Sequence, residues 1–311
     1  MPGANTERIK ADKFVSFNQE NTRIEYVDIF RAFGIILMVM GHIGYGSKFD
    51  HFIHAFHMPM FFFVSGFLYK SSGISFGKYL IKKAKTLLLP YVVFGTIHYL
   101  ISSYLDRSFS LEPVKAFLLF PTEGIPIAGA LWFLIALFFS SIIYFWVDKI
   151  LHNGLKTIII ITIALTGQLV PNFFGVSIPF ALSAALVGVG LLHAGRIVRK
   201  YEKKLISLEW YQVLFLGIII SASIMLSGYI NMRVERYPRS FLVFWINAIA
   251  ASVIGMNLAR ISKSILKDCF LSKYIQSIGR NSIVYVCLNQ LVILVIQKAI
   301  VRIPISIPLP K

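Results

Sequence analysis

Nine apolar runs, each close to the length of a membrane-crossing helix, limit what this chain can fold into. A helix needs roughly 17–25 apolar residues to cross the hydrocarbon core of a bilayer. Because backbone polar groups in lipid must bond within the protein, such runs fold as helices. The sequence therefore predicts an all-α, polytopic integral membrane helix bundle of about 9–10 transmembrane helices. The predicted spans are residues 27–45, 51–69, 86–105, 129–147, 156–171, 176–194, 211–229, 241–259 and 282–301.

The composition agrees with a membrane protein and argues against a nucleic-acid partner. Only 14% of the residues are charged, whereas soluble domains carry about 25%. The formal net charge is +17. The basic residues lie in short segments between the apolar runs, however, which is the pattern of membrane topology. We therefore expect membrane lipids, and no nucleic acid, as partners.

The distribution of lysine and arginine predicts the orientation of the chain. With the N-terminus in the cytoplasm, the inner segments hold 21 of these residues and the outer segments nine, and basic residues favour the cytoplasmic side. Residues 1–22 are polar and lack the apolar stretch of a signal peptide. We expect a cytoplasmic tail over residues 1–22 and one membrane domain over residues 23–311, which ends outside.

Three ionisable side chains lie inside the first apolar run, namely Asp28, Arg31 and His42. Ionisable groups inside such a run are expensive and mark functional sites by default. Arg31 and His42 are eleven residues apart, which places them on one helix face about 16 Å apart along the axis. Asp28 is a neighbour of Arg31 on that face. They form either a functional pair, with Arg31 inward and His42 outward, or a structural ion pair with an interfacial histidine.

Histidine exchanges a proton near neutral pH, so His42 is the first candidate for a general base. A neutral imidazole can take the proton of a hydroxyl group while that hydroxyl attacks an acyl carbon. His54 and His57 follow at a spacing that places two imidazoles on one helix face, where a metal site is conceivable. Asp50 is the only close carboxylate and no cysteine accompanies them. We therefore expect no metal.

A lysine cluster lies at the inner mouth of the third predicted span. Lys82, Lys83 and Lys85 precede the run of leucines that ends at Pro90. The simpler interpretation is the positive-inside rule together with anionic headgroups. The functional interpretation is a cytoplasmic phosphate site, because lysine serves as a point charge for phosphates.

Three other side chains are candidates for a substrate pocket. Ser65 lies in an apolar run beside Gly66, where small residues allow helices to approach and a hydroxyl needs a partner. Asn289 lies in the middle of the last span and should face the bundle interior for the same reason. Trp132 is either an interfacial belt residue or the wall of a pocket.

Five short motifs occur along the chain. The first is Tyr26-x-Asp28-x-x-Arg31, followed by His42 after ten intervening residues, and the second is FHMPMFFFVSGF from Phe56 to Phe67. Three weaker motifs are LLLPY from Leu87, LWFL from Leu131 and IGRNS from Ile278. Together they resemble the membrane acyltransferase-3 family over most of the chain. They resemble most closely its fucose 4-O-acetylase-like branch of polysaccharide O-acetyltransferases.

The resemblance implies transfer of an acyl group, usually acetyl, from cytoplasmic acetyl-CoA to a glycan hydroxyl. It implies that Arg31 and His42 are essential, with His42 as the base and Arg31 at the acyl donor. Asp28 belongs to the same motif. The chain departs from the family in having Ala32 where glycine is usual and Asn289 where many members have histidine.

The resemblance also implies where the substrates bind. Lys82, Lys83 and Lys85 match the basic stretch that meets the phosphates of acetyl-CoA. We expect the acceptor, a polysaccharide or lipid-linked sugar, to contact a set of polar and aromatic side chains inside the bundle. This predicted substrate set is His57, Ser65, Trp132 and Asn289.

Together these features lead us to expect an integral membrane O-acetyltransferase in the bacterial cytoplasmic (inner) membrane, working with machinery that makes envelope polysaccharide. Two alternatives stay open: a transporter or flippase for glycan lipids, and a structural scaffold. The outer loop Tyr229–Arg239 carries three arginines and could suit an acidic glycan, although a solvated loop is the simpler interpretation.

Overall fold

The chain folds as α-helices joined by short connections in the residues that the structure describes. The predicted all-α bundle is confirmed, and extended pairing in this part of the chain is limited to one antiparallel bridge between Asn231 and Arg236. The predicted tail over residues 1–22 lies outside the described residues. The computed structural model describes residues 24–302, apart from residues 71–72, 122, 152, 176–177, 239 and 268.

Fourteen α-helices follow one another along the described residues. A π-helical turn, Ala84–Leu88, joins the fourth to the fifth. The helices are α1 Glu25–Ile43, α2 Ser47–His54, α3 Pro59–Phe67, α4 Phe76–Lys83, α5 Leu89–Asp106, α6 Glu112–Leu119, α7 Trp132–Ile150, α8 Asn153–Phe174, α9 Leu182–Lys200, α10 Glu202–Leu205, α11 Trp210–Leu226, α12 Phe241–Leu266, α13 Phe270–Arg280 and α14 Ser282–Arg302.

Six helical segments of the described chain are long and apolar enough to cross a membrane. They are α1, the α4–α5 segment, α7, α8, α9 and α12. A seventh is counted if α13 and α14, which meet at an 86° bend, form one broken span. The protein is therefore a multi-pass membrane protein, with six or seven such spans among its described residues rather than nine or ten.

The predicted second span, residues 51–69, is the clearest departure from the sequence analysis. It consists of two short helices, α2 with eight residues and α3 with nine. Proline has no N–H and so favours the first turn of a helix. Pro59 begins α3, whereas α2 has already ended at His54. Since a span needs roughly 17 residues, neither helix can cross a bilayer alone, and the junction between them carries His57.

Two glycines allow α3 to pack inside the bundle against α9. A Cβ atom at Gly66 would overlap the backbone of Leu192, and one at Gly195 would overlap the backbone of Phe63. Small residues permit this close approach of helices in membranes. The contact holds the short helix α3 in the interior, where eight of its nine residues are buried.

A third glycine brings the start of α14 close to α1. A Cβ atom at Gly279 would overlap the carbonyl oxygen of Asp28, so α13 lies directly against the first turns of α1. Arg280 is the next residue and ends α13, and α14 starts at Ser282. This contact therefore brings Arg280 and the N-terminus of α14 to the same end of α1 as Arg31.

Replacing Gly279 tests this contact. We expect Gly279→Ala to force α13 away from α1 and to lower the stability of the detergent-solubilised protein by roughly 1–3 kcal/mol, the usual cost of overpacking. Thermal unfolding followed by tryptophan fluorescence measures the effect. Gly77→Ala on α4 is the matched control, because the space around Gly77 is open. Equal melting temperatures for the two variants would contradict the proposed close contact.

Candidate active site

A cavity of about 280 Å³ lies at the C-terminal end of α1, and we call it the His42 cavity. It is built by the end of α1, by α2 and its junction with α3, by the start of α7, and by the loop between α11 and α12. It brings together three of the predicted site residues, His42, His57 and Trp132. Its other polar lining residues are Asp50, His54, Tyr229, Asn231 and Arg233.

Some lining residues of the His42 cavity are buried, and others are partly exposed at its surface. Met38, Trp132 and His57 are 2%, 3% and 6% exposed and form its floor. The side chains of His54 and Asp50 are 21% and 35% exposed, and we call these two residues, with Tyr229 and Asn231, the rim. A ligand that enters from the surface therefore meets the rim first.

The rim is held together by hydrogen bonds that centre on Asp50. The Nδ1 atom of His54 lies 3.0 Å from Asp50 Oδ1 and 2.9 Å from the Asp50 carbonyl oxygen. The hydroxyl of Tyr229 donates to Asp50 Oδ2 at 2.9 Å. Burial is the main cause that raises the pKa of Tyr229, so this hydroxyl stays a neutral donor. Asp50 thus links α2 to the loop that precedes α12.

The floor holds the second histidine of the predicted His54-x-x-His57 pair. Nδ1 of His57 lies 2.7 Å from the carbonyl oxygen of Ile53. A carbonyl only accepts, so Nδ1 carries the proton and Nε2 is the acceptor of the neutral ring. The rings of His54 and His57 pack edge to face, with 4.9 Å between their centroids. Among the described residues, no group of three or more His, Cys, Asp or Glu side chains is placed to hold a metal ion.

Arg233 adds a positive charge to the cavity. It lies in the short 3₁₀ turn Met232–Val234, whose start is capped by the Asn231 side chain, which accepts from the Arg233 N–H at 3.0 Å. Burial lowers the pKa of the Arg233 guanidinium. An arginine remains charged all the same, because its usual pKa is above about 12.

The loop residues of the cavity were missed by the sequence analysis as site residues. A solvated loop was the simpler interpretation of Tyr229–Arg239, yet Tyr229, Asn231 and Arg233 line the His42 cavity. Tyr229 and Asp50 are 179 residues apart in the chain. No local pattern connects segments at that distance, so only the tertiary structure joins them.

A second cavity, of about 320 Å³, lies near the N-terminal end of α1, and we call it the Arg31 cavity. Three cationic residues line it, namely Arg31, Lys83 and Arg280. Its walls include Phe61 and Phe133. Four hydroxyl or amide side chains complete its polar lining, and they are Ser65, Thr86, Asn281 and Ser282.

The three lysines of the cluster lie in different environments. Lys83 is half-buried and lines the Arg31 cavity, whereas Lys82 and Lys85 are exposed and do not line it. Lys83 ends α4, and the π-helical turn begins at the next residue. Such turns are frequent at functional sites, because they alter the direction of side chains within a helix. Of the three lysines predicted to meet phosphates, the structure brings Lys83 to the other cations.

The N-terminus of α14 strengthens the positive character of the Arg31 cavity. Ser282, Ile283 and Val284 form its first turn and line the cavity. The N–H of Val284 donates to the Asn281 carbonyl at 2.9 Å. The N–H groups of Ser282 and Ile283 come before any acceptor within the helix, and the helix dipole places a partial positive charge there. Together with the three cations, this end can bind an anion such as a phosphate group.

Asp28 stabilises Arg31 from within the bundle. The carboxylate of Asp28 is buried, and its Oδ1 lies 3.9 Å from Arg31 Nη1, whose side chain is 26% exposed. Because a buried carboxylate is costly without a cation nearby, Arg31 has a structural role besides facing the cavity. Asp28 does not line either cavity.

Aromatic side chains and a methionine separate the two cavities. Phe61 and Phe133 face the Arg31 cavity, while Met38 and Trp132 face the His42 cavity. The ring of Phe133 is 5.7 Å from that of Phe61 and 6.2 Å from that of Trp132. We call these four residues the partition.

Asn289, the remaining predicted substrate residue, lies beside this partition. It is 6% exposed, and its Nδ2 contacts the sulfur of Met38 at 4.0 Å. The same Nδ2 donates to the Val286 carbonyl at 2.6 Å. Asn289 lines neither cavity, and its contact with Met38 places it behind the floor of the His42 cavity.

Comparison with known protein families identifies the family of the chain. The model of the acyltransferase-3 family, described as an acyltransferase domain, matches residues 24–309. The match covers most of the chain, and the protein therefore belongs to this family and is a membrane acyltransferase. Neither a search of curated proteins nor a search of solved structures gave a significant match.

The pairing of Asp28 with Arg31 predicts a stability effect that is separate from activity. Breaking a buried ion pair costs about 3–5 kcal/mol, and the partial exposure of Arg31 reduces that cost. We expect Arg31→Ala to lower the melting temperature, and Asp28→Asn combined with it to restore part of the loss. A double variant no more stable than Arg31→Ala, in thermal unfolding in detergent, would rule out this pairing.

Proposed function

We propose that this acyltransferase moves an acetyl group from acetyl-CoA to a hydroxyl group of a surface polysaccharide or lipid-linked sugar. One observation carries the proposal. Two cavities of different chemistry lie along the single helix α1, one lined by cations and the other by histidines. The first suits the phosphates of a donor and the second suits proton transfer at a hydroxyl group.

The donor phosphates bind in the Arg31 cavity. CoA carries three phosphate groups, and Arg31, Lys83 and Arg280 surround the cavity with positive charge. Arginine binds phosphate oxygens through a planar fork of N–H donors, and lysine adds a point charge. The first turn of α14 supplies further N–H donors.

The pantetheine arm of the donor reaches the His42 cavity past the partition. Arg31 and His42 lie about 16 Å apart along α1, a distance that an extended arm can bridge. The arm contains amide groups, and Asn289 beside Met38 offers a hydrogen-bonding partner to one of them. The acyl group then lies at the floor, against Trp132 and His57.

His42 acts as the general base of the transfer. It takes the proton of the acceptor hydroxyl, whose oxygen forms a bond to the acyl carbon of the thioester. The C–S bond breaks, and its electron pair goes to sulfur. The His42 imidazolium then returns the proton to the thiolate, so the products are an O-acyl ester and CoA with a free thiol.

The two cavities open toward different compartments in this proposal. The basic segments favour a cytoplasmic N-terminus, so the Arg31 cavity meets cytoplasmic acetyl-CoA and the His42 cavity meets an acceptor on the far side. The membrane is the cytoplasmic (inner) membrane of a bacterium. The fucose 4-O-acetylase-like motifs favour a sugar acceptor from envelope polysaccharide synthesis.

His42→Ala tests the reaction itself. We expect the rate of glycan O-acetylation to fall by roughly 10²–10⁴-fold, the contribution of a general base. Colorimetric assay of O-acetyl groups on surface glycan, in cells with equal amounts of each variant, measures the loss. Undiminished acetylation would remove His42 from the mechanism.

The alternative function, a transporter of glycan lipids, is tested by measuring free CoA. A transporter would release no free CoA from acetyl-CoA and acceptor.

The lysine cluster provides an internally matched test of the donor site. We expect Lys83→Gln and Arg280→Gln each to raise the KM for acetyl-CoA roughly tenfold, since each removes a charge-assisted bond to phosphate. Lys82→Gln and Lys85→Gln are the controls, because both lysines lie outside the cavity. A similar rise in all four variants would show a general effect of surface charge instead.

A further inference from the structure

The rim of the His42 cavity carries a hydrogen-bonding pattern that the proposed reaction leaves unused. His54 shares the cavity with His42 but lies at the rim, where its side chain is 21% exposed. His57 and Trp132 form the floor on the side of the partition. An acceptor entering from the surface reaches His54 before it reaches the acyl group.

Asp50 determines which nitrogen of His54 faces the cavity. Nδ1 of His54 lies within hydrogen-bond distance of two oxygens of Asp50, the carbonyl at 2.9 Å and Oδ1 at 3.0 Å. Both oxygens accept, so Nδ1 carries the proton. In the neutral ring Nε2 is then a hydrogen-bond acceptor, and the orientation of the ring is fixed from behind.

The other polar groups of the rim bond to one another. Asp50 Oδ2 accepts from Tyr229, and the Asn231 Nδ2 group donates to the Tyr229 oxygen at 3.4 Å. Asn231 Oδ1 accepts from the backbone N–H of Arg233. Within the described rim, His54 Nε2 is therefore a nitrogen acceptor that can receive a donor group from a ligand.

We propose that His54 binds the acceptor through a second hydroxyl group of the sugar, next to the one that is acylated. That hydroxyl donates to His54 Nε2, while the acylated hydroxyl donates to His42. The acceptor is therefore a sugar with two neighbouring hydroxyl groups, and His54 selects which of them receives the acyl group. Asp50 is a positioning residue, acting through His54. This inference rests on the proposed O-acyl transfer and names its acceptor.

The test separates acceptor binding from the transfer step. His54→Phe keeps a ring and removes both nitrogens. Purified protein in lipid nanodiscs is given acetyl-CoA and the envelope glycan fraction of cells that lack the protein, and free CoA is measured. We expect the KM for glycan to rise roughly tenfold, the loss of one hydrogen bond. We expect kcat and the Kd for acetyl-CoA to stay within about threefold, and NMR of the product glycan to show acetyl groups on both hydroxyls.

Two further variants sharpen the assignment. We expect Asp50→Asn to raise the glycan KM less than His54→Phe does, because the backbone carbonyl of residue 50 still accepts from His54 Nδ1 at 2.9 Å. His51→Phe is the matched control, since His51 lies on the same helix and does not line the cavity. Its ring packs edge-on against the ring of Tyr229, and phenylalanine keeps that ring contact. We expect its KM, kcat and acetylation pattern to match those of the unaltered protein.

Each other result overturns the inference in a distinct way. A fall in kcat of about a hundredfold with an unchanged KM would make His54 an acid–base residue rather than a binding one. Equal losses in His51→Phe and His54→Phe, with lower melting temperatures, would make its role structural. An unchanged KM and acetylation pattern would remove His54 from the site. If the unaltered protein releases no CoA, the proposed function itself fails.

Discussion

Asp28 makes two contacts that build the Arg31 cavity end of the molecule. Its buried carboxylate lies beside Arg31, and its carbonyl oxygen packs against Gly279. The first contact makes a charged Arg31 tolerable near the bundle interior, because a buried charge needs an opposite charge. The second brings Arg280 and the first turn of α14 beside Arg31. Both contacts support the cationic cavity, because one places a carboxylate beside Arg31 and the other places Arg280 at the same end of α1.

The proposed reaction requires the two ends of α1 to share one substrate, and the fold places one cavity near each end. A thioester with charged phosphates and a slender arm can bind to both cavities at once, whereas a compact substrate cannot. The partition keeps the cavities apart, and Gly34 on α1 leaves room for the ring of Phe61 there. In the proposed reaction, the cations near one end of α1 bind the donor phosphates and the histidines near the other end lie at the acyl group.

Helix geometry made one part of the site predictable from the sequence. Arg31 and His42 lie within one uninterrupted helix, so their spacing alone placed them on one face. Hydropathy predicted a membrane protein for a similar reason, because the apolar residues of a spanning helix are consecutive in the sequence. Pro59 predicts a kink within residues 51–69. The end of α2 at His54 was not predicted, since apolar character continues through the break and α3 is buried by protein contacts.

The remainder of the site depends on contacts that no local pattern contains. Arg280 reaches the Arg31 cavity through the packing of α13 on α1. Lys83 lines the cavity and Lys82 does not, because neighbouring residues of a helix project about 100° apart, and which direction faces the cavity depends on how α4 packs. The rim joins Asp50 to Tyr229 across 179 residues. Contacts between side chains that are distant in sequence can be predicted only from the tertiary structure. Residues that share one helix face can be predicted from the helical period alone.

In the proposed reaction, one donor molecule bridges the two cavities. A structure of the protein in lipid nanodiscs with a thioether analogue of acetyl-CoA, which cannot transfer its acyl group, tests this claim most directly. We expect the phosphates to lie among Arg31, Lys83 and Arg280, the arm to pass Phe61 and Met38, and the acyl end to lie beside His42. An analogue whose acyl end stays in the Arg31 cavity, or whose phosphates bind elsewhere, would contradict the claim.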